Sequence, residues 1–324
     1  MTMAMLRATG LARTFRTRKQ AVRAVRGVDL SVAPGEIVGF LGPNGAGKTT
    51  TLRMLTTLLT PTAGEATVAG HDLRREPGAV RRRIGYVAQT GGVDPTLPAG
   101  EELAAQGEFY GMPGRGARAR AAELAGRFAL TDLLPRPSIT FSGGQRRRLD
   151  LALGLVHRPA LMFLDEPSTG LDPHSRAQLW DVIRQMRDED GLTVFCSTHY
   201  LDEADALCDR VLIIDDGRIV AEGAPAELKR KVSGDVVLVG LPPGARETAE
   251  PVLARLDGVR SVEADDAGPD GVTLRLAVED GDRALTGVVL ALDGAGARPR
   301  SVRVRRPSLD DVFAAVTGRR FDDA

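Results

Sequence analysis

Residues 42–49 read Gly-Pro-Asn-Gly-Ala-Gly-Lys-Thr and fit the pattern G-x-x-x-x-G-K-[ST] at every position. Glycines in such a loop let backbone N–H groups curl around phosphate oxygens without a Cβ clash. The helix that should follow points its positive end at the same phosphates. Lys48 can reach β- and γ-phosphates, and the Thr49 hydroxyl can ligate Mg2+. Gly42, Asn44, Gly45, Gly47, Lys48, Thr49 and Thr50 are therefore the expected nucleotide contacts. The flanks agree, since the apolar run EIVGFLG precedes the loop and the helix-patterned TLRMLTTLLT follows it. Further along, Leu161-Met162-Phe163-Leu164 runs straight into Asp165-Glu166. Two carboxylates closing a buried strand are costly unless they have work to do. Asp165 suits a Mg2+ ligand, and Glu166 suits orientation or deprotonation of an attacking water.

A third group of residues, Phe141-Ser142-Gly143-Gly144-Gln145, precedes an arginine-rich helix. By themselves these residues read as an N-cap and turn, and Ser142 with two glycines at a helix start can also make a second phosphate-binding surface. This segment resembles the signature motif of ABC ATPases, usually written LSGGQ, with Phe at its first, apolar position. The resemblance extends densely from Leu6 to about Lys231 and implies further roles. Gln89 matches the Q-loop glutamine, a Mg2+ and water contact that senses the γ-phosphate. Ser168-Thr169-Gly170-Leu171-Asp172 matches the D-loop, and His199 the switch histidine that contacts the γ-phosphate. Phe15 stands where the family places an aromatic that stacks on adenine, beside a segment, Thr17 to Gln20, that looks like a small insertion. In the family the signature surface, here Ser142 to Gln145, closes over nucleotide held by the other subunit.

The tail carries a narrower likeness. Pro307-Ser308-Leu309-Asp310-Asp311-Val312-Phe313 followed by Thr317-Gly318 is similar to the tail of the daunorubicin/doxorubicin-resistance ATPase group, as is the stretch from Gly143 to Ala152. These are bacterial ATPases paired with a separate permease of the ABC-2 type. The resemblance implies ATP and Mg2+ as cofactors, a homodimer or paired ATPase subunit, and a peripheral position on the cytoplasmic face of the membrane. The expected function is ATP-driven export of a small, hydrophobic, drug-like molecule. The alternative is a soluble ABC ATPase acting on nucleic acid or ribosomes. Lys48 and Glu166 lie too close for the inserted coiled coil of the DNA-repair relatives, and one phosphate loop argues against the two-cassette translation type. The tail argues against an importer.

The elements that must position these residues alternate. The first 35 or so residues read as strands and turns. Strand-like ATVAG and RIGYVAQ follow the first helix, and a helical stretch covers about 91–160. Then come the strand LMFLDEP, the helix HSRAQLWDVIRQMRDED, the strand TVFCSTH, the helix YLDEADALCD and a single strand RVLIIDDGRIVAEG. This order gives an α/β fold with a parallel sheet interrupted by a helical insert, and the resemblance implies a P-loop ABC cassette with a RecA-like core and a helical subdomain, spanning 1–232. Around Lys231-Val232-Ser233-Gly234 the pattern restarts as β-α-β-β-α-β, a small α+β, ferredoxin-like domain over 233–324. Its last helix has Ser308 as N-cap and Asp310 and Asp311 in the first turn.

Composition sets the outer limits. The 324 residues carry 43 basic and 43 acidic side chains, and 43% are hydrophobic. The chain can bury a core and lacks the bulk charge of a nucleic-acid binder, so no nucleic-acid partner is expected. Arg146, Arg147 and Arg148 read as a solvated or interdomain helix face, able to pair with acids on the same helix. Cys196 and Cys208 read as reduced, buried thiols. The segment MTMAMLRATG has no signal-peptide pattern, and no stretch approaches the ~20 apolar residues of a membrane helix.

Overall fold

The computed structural model describes residues 4–16, 20–232, 234–268 and 271–321. Residues 17–19 of the expected insertion and Ser233 at the expected boundary lie outside the described residues. Two compact units emerge, Met1–Pro225 together with Phe321–Ala324, and Ala226–Arg320.

In the first unit the order is β1 (Leu6–Arg16), β2 (Ala21–Val32), β3 (Ile37–Leu41), α1 (Lys48–Leu55), β4 (Ala63–Val68), β5 (His71–Asp72), α2 (Pro77–Arg83) and β6 (Ile84–Val87). Three longer helices follow: α3 (Ala99–Phe109), α4 (Gly114–Arg127) and α5 (Gly143–Leu155). The core then resumes with β7 (Leu161–Asp165), α6 (Pro173–Asp190), β8 (Thr193–Thr198), α7 (Leu201–Leu207), β9 (Arg210–Asp215) and β10 (Arg218–Gly223). Every residue of β3, β7 and β8 is buried, as in strands covered on both faces. They form a six-stranded sheet of order β10-β9-β3-β8-β7-β6, parallel from β9 to β6. The half-buried β1 and β2 pair antiparallel in a second sheet, β2-β1-β4-β5. One apolar core, including Leu11 and Val28 of this sheet and Phe40, Phe163 and Phe195 of the central one, joins the two. Burying these side chains contributes roughly 1.5–3 kcal/mol each.

The segment expected as a single strand over 210–223 is a hairpin. Asp216 and Gly217 take φ of 45° and 77°, and Arg218 pairs back on Asp215. Two consecutive positive φ values define the tight turn whose twist matches paired strands, and Asp-Gly is its preferred sequence. The turn also braces the phosphate loop: Gly217 N–H donates to the Ala46 carbonyl at 3.0 Å, and Asp216 pairs with Arg26 at 2.6 Å. The first helix is shorter than its pattern, because Thr57 turns to a φ of 66°. Cys196 and Cys208 are buried and unbridged, their sulfurs 3.9 Å apart.

The second unit starts within α8 (Pro225–Val232) and continues with β11 (Asp235–Leu241), α9 (Arg246–Leu253), β12 (Val259–Gly268), β13 (Gly271–Val278), α10 (Gly281–Gly294), β14 (Ser301–Arg305) and α11 (Leu309–Thr317). Its strands pair antiparallel in the order β12-β13-β11-β14, the split βαβ arrangement that the sequence pattern predicts. Val237, Leu274 and Leu276 of the sheet meet Leu253 of α9 and Val288 and Leu292 of α10 in a core of their own.

Candidate functional site

The phosphate loop leaves β3 and closes on α1. A Cβ on Gly42 would lie 2.4 Å from the Ile214 carbonyl, and one on Gly47 would lie 2.5 Å from the Ala24 carbonyl. Gly47 also has a φ of 105°, a conformation that side chains disfavour. Helix α1 has neither a side-chain cap nor an acid in its first turn, so its leading N–H groups suit an anion. The buried Lys48 ammonium folds back over the loop, donating to the Gly42 and Pro43 carbonyls at 2.7 and 3.1 Å. Burial pulls its pKa below the ordinary lysine value, and the carboxylates of Glu166 and Asp165 oppose that.

Asp165 and Glu166 stand at the carboxyl end of β7. The Thr49 hydroxyl donates to Asp165 Oδ1 at 3.0 Å, and Ser197 of β8 donates to the same oxygen at 2.7 Å. Glu166 is buried and draws three groups together. Its Oε1 pairs with Lys48 Nζ at 3.3 Å, and its Oε2 accepts from Gln89 Nε2 at 2.9 Å and the Thr169 hydroxyl at 3.3 Å. His199 Nδ1 lies 3.1 Å from that same oxygen, an ion-pair distance without hydrogen-bond alignment. The Glu166 backbone has a φ of 46°, a strained state for a side-chain-bearing residue. It is held there by its own N–H, which donates to the Ser197 carbonyl and hydroxyl, both at 3.1 Å.

So the elements bring Lys48, Thr49, Gln89, Asp165, Glu166 and His199 to one place. Thr49 and Asp165 offer two hard oxygens side by side. That donor set fits Mg2+, which takes few protein ligands and shares the rest with phosphates and water. Among the described residues no three His, Cys, Asp or Glu side chains are grouped to hold a metal by themselves.

Two family models match the chain. "ABC transporter" covers residues 25–169, and "ATP-binding protein DrrA1-3-like, C-terminal domain" covers 223–317. The daunorubicin resistance ATP-binding protein DrrA3 of Streptomyces coeruleorubidus is 46% identical over 93% of this chain and 94% of its own. The daunorubicin/doxorubicin resistance ATP-binding protein DrrA of Streptomyces peucetius is 44% identical over 97% and 93%. This chain belongs to the ABC transporter ATP-binding proteins. A dimeric ATP-binding cassette solved in a post-hydrolysis state with ADP and Pi is 28% identical, with a TM-score of 0.63 over 68% of this chain and 98% of that one. The protein is accordingly an ATP-binding, ATP-hydrolysing subunit of an ABC transporter.

Of the remaining stations, the D-loop joins this cluster through Thr169. Ser142 caps α5 in a reciprocal box: Gln145 N–H donates to its hydroxyl at 3.2 Å, and Ser142 N–H donates to Gln145 Oε1 at 2.9 Å. Ser142 to Gln145 share no hydrogen bond or ion pair with Lys48, Thr49 or Glu166 among the described residues. A cleft of about 380 Å³ runs from Gln89 past Gly143 to Thr169, so the Q-loop, signature helix and D-loop face one space. Asp172 caps α6, accepting from the Ser175 N–H at 2.9 Å and its hydroxyl at 2.6 Å. Phe15 is 37% exposed and carries the Arg13 guanidinium 4.8 Å from its ring centre.

Arg147 departs from the expected face of solvated or interdomain arginines, while keeping an acidic partner on the same helix, Asp150. Only Arg146 of the three is exposed, while Arg147 is buried. Its guanidinium donates to the Pro167 and Ala88 carbonyls, both at 2.7 Å, and to the Asp165 carbonyl at 3.2 Å. It thereby ties the signature helix to the backbone beside both Gln89 and Glu166. Burial lowers its pKa, opposed by Asp150 at 3.9 Å and by Asp165. One signal was present in the sequence: Arg147 stands four and eight residues before the buried Leu151 and Leu155, on the inward stripe of α5.

Proposed function

We propose that this ATPase works as a head-to-tail pair of cassettes under a separate ABC-2 type permease, at the cytoplasmic face of the membrane, and exports a small hydrophobic drug- or antibiotic-like molecule. The names of the relatives support the cargo class, and the dimeric neighbour supports the pairing. Each ATP lies between Lys48 and Thr49 of one cassette and Ser142 and Gly144 of the other, with Phe15 beneath the adenine. The permease's coupling helix docks in the groove near Gln89 to Glu102. The second unit stabilises or regulates the pair. The γ-phosphate holds the pair closed and hydrolysis releases it, which biases a two-state permease.

The observation that carries this reading is the Glu166 carboxylate, bracketed by Lys48, Gln89, Thr169 and His199. Lys48 pairs with Glu166 Oε1 at 3.3 Å. Phosphate oxygens compete for that ammonium and leave Oε1 free to take a proton from the attacking water. Gln89 positions the water, and His199 contacts the γ-phosphate. Thr49, Gln89 and Asp165 would hold Mg2+, which would supply charge neutralisation at the phosphates.

Replacing Glu166 with Gln tests this. ATP affinity should stay within about threefold, turnover should fall by about 10²-fold or more, and an ATP-dependent dimer should persist on size-exclusion chromatography. Turnover at the wild-type rate would rule out Glu166 as the base.

A further inference from the structure

One buried acid belongs to none of the roles above. Glu203 lies in the first turn of α7 with 0% exposure. Its Oε2 accepts from the Ser168 hydroxyl at 2.9 Å and the Thr198 hydroxyl at 2.5 Å, and its Oε1 accepts from the indole N–H of Trp180 at 3.1 Å. A fully buried carboxyl is costly unless satisfied. A leucine would fill the same space without that cost, so the acid's use must lie in what its oxygens hold in place.

What they hold are the two segments that reach Glu166. Ser168 precedes Thr169, whose hydroxyl donates to Glu166. Thr198 precedes His199, which stands 3.1 Å from the same Glu166 oxygen. The Thr198 hydroxyl also accepts the Tyr200 N–H at 2.9 Å, and the Tyr200 ring packs 4.1 Å from that of His199. Helix α6 closes the back of the arrangement. It supplies Trp180 to Glu203, and Arg176 lies 4.2 Å over the Tyr200 ring. The contacts form a circuit: Glu166, Thr169, Ser168, Glu203, Thr198, His199 and back to Glu166.

We propose that Glu203 is a positioning residue for ATP hydrolysis, clamping the D-loop through Ser168 to the switch strand through Thr198 so that Thr169 and His199 keep a common register on Glu166. Two hydroxyls sharing one oxygen make the coupling specific, because neither can shift without weakening the other's acceptor. The inference rests on the reading of Glu166 as the base.

The test uses the full chain, with steady-state turnover and equilibrium ATP binding measured separately. Glu203→Ala should lower kcat about tenfold or more with ATP affinity within about threefold, and Glu203→Gln should recover most of the loss. Ser168→Ala and Thr198→Val should each lower kcat, their combined effect falling short of the product of the two by about threefold or more. Wild-type kcat in a folded Glu203→Ala protein would overturn the proposal. So would a parallel loss of ATP affinity and kcat, or strictly multiplicative effects of the two hydroxyl variants. If Glu203→Ala does not fold, the hydroxyl pair decides alone. Glu166→Gln separates the two readings: its full activity would sink the base assignment, whereas its inactivity beside a fully active Glu203→Ala would sink only the clamp.

Discussion

Glu203 also has a consequence for stability. Burial raises its carboxyl pKa above the ordinary value of 4.5, outweighing the hydrogen bonds from Thr198, Ser168 and Trp180 and the charge of Arg176. The native state therefore binds this proton more tightly than the unfolded chain does. Its stabilising contribution is complete below the unfolded pKa and is lost as pH rises through the raised native value. Glu203→Gln removes that titration. Thermal unfolding followed by the emission of Trp180, the sole tryptophan, should show the Gln variant gaining on wild type as pH rises above 4.5. Each kcal/mol should move Tm by roughly 2–4 °C in a domain of this size. A pH-independent difference would mean that Glu203 titrates as an ordinary glutamate. This residue and Arg147 show where residue-level reading of the sequence stops. Lys48 and Thr49 were legible because their chemistry is local, a fixed spacing on one loop. Arg147 acts on carbonyls 18 or more residues away, and Glu203 joins the nearby Thr198 hydroxyl to the Ser168 hydroxyl 35 residues back in the chain, so only the fold brings these distant partners together.

Helices α3, α7 and α11 carry acids in their first turn, which suit a helix end that must satisfy itself. Helices α1 and α5 carry none, which is compatible with an end that faces a polyanion, but α2, α4 and α6 carry none either, so the first turn alone does not mark a phosphate site. The cap of α11 can be read in the sequence. Ser308 accepts the Asp311 N–H at 3.2 Å, and Asp311 Oδ2 accepts the Ser308 N–H at 2.8 Å. Ser308→Ala should destabilise the helix by about 1 kcal/mol. Hydrogen exchange over residues 309–317 would register this as faster exchange, with ATP turnover unchanged; unaltered protection would mean that packing of Leu309, Val312 and Phe313 alone fixes the helix. The β9–β10 hairpin had a signal in the sequence. Apolar runs flank a polar Asp-Asp-Gly-Arg break whose Asp-Gly pair favours a tight turn, and a single strand over 210–223 passes over it. Two left-handed residues make the turn.

At the scale of the whole chain, neutrality is a balance of opposite parts. Residues 233–324 hold 12 basic and 16 acidic side chains, and the preceding 232 hold 31 and 27. An excess of positive charge suits the part that meets ATP, while the tail has no phosphate to attract. The two cores are also separate: that of the cassette runs from Leu6 to Ile214, and that of the second unit from Val237 to Ala297, with no residue in common. Among the described residues, the hydrogen-bond and ion-pair partners of Lys48, Glu166 and Glu203 given above all precede Pro225. A chain ending at Lys231 should therefore fold its cassette and bind ATP within about threefold of the full-length affinity, since no partner of the phosphate loop is removed. What it should lose is assembly. If the second unit stabilises the pair, the truncated Glu166→Gln protein should need at least about tenfold more ATP or protein to run as a dimer, a shift of about 1.4 kcal/mol. The same dimer fraction at the same concentrations would remove the second unit from the pairing and leave regulation as its role. Loss of ATP binding would show instead that the cassette depends on the tail for its fold.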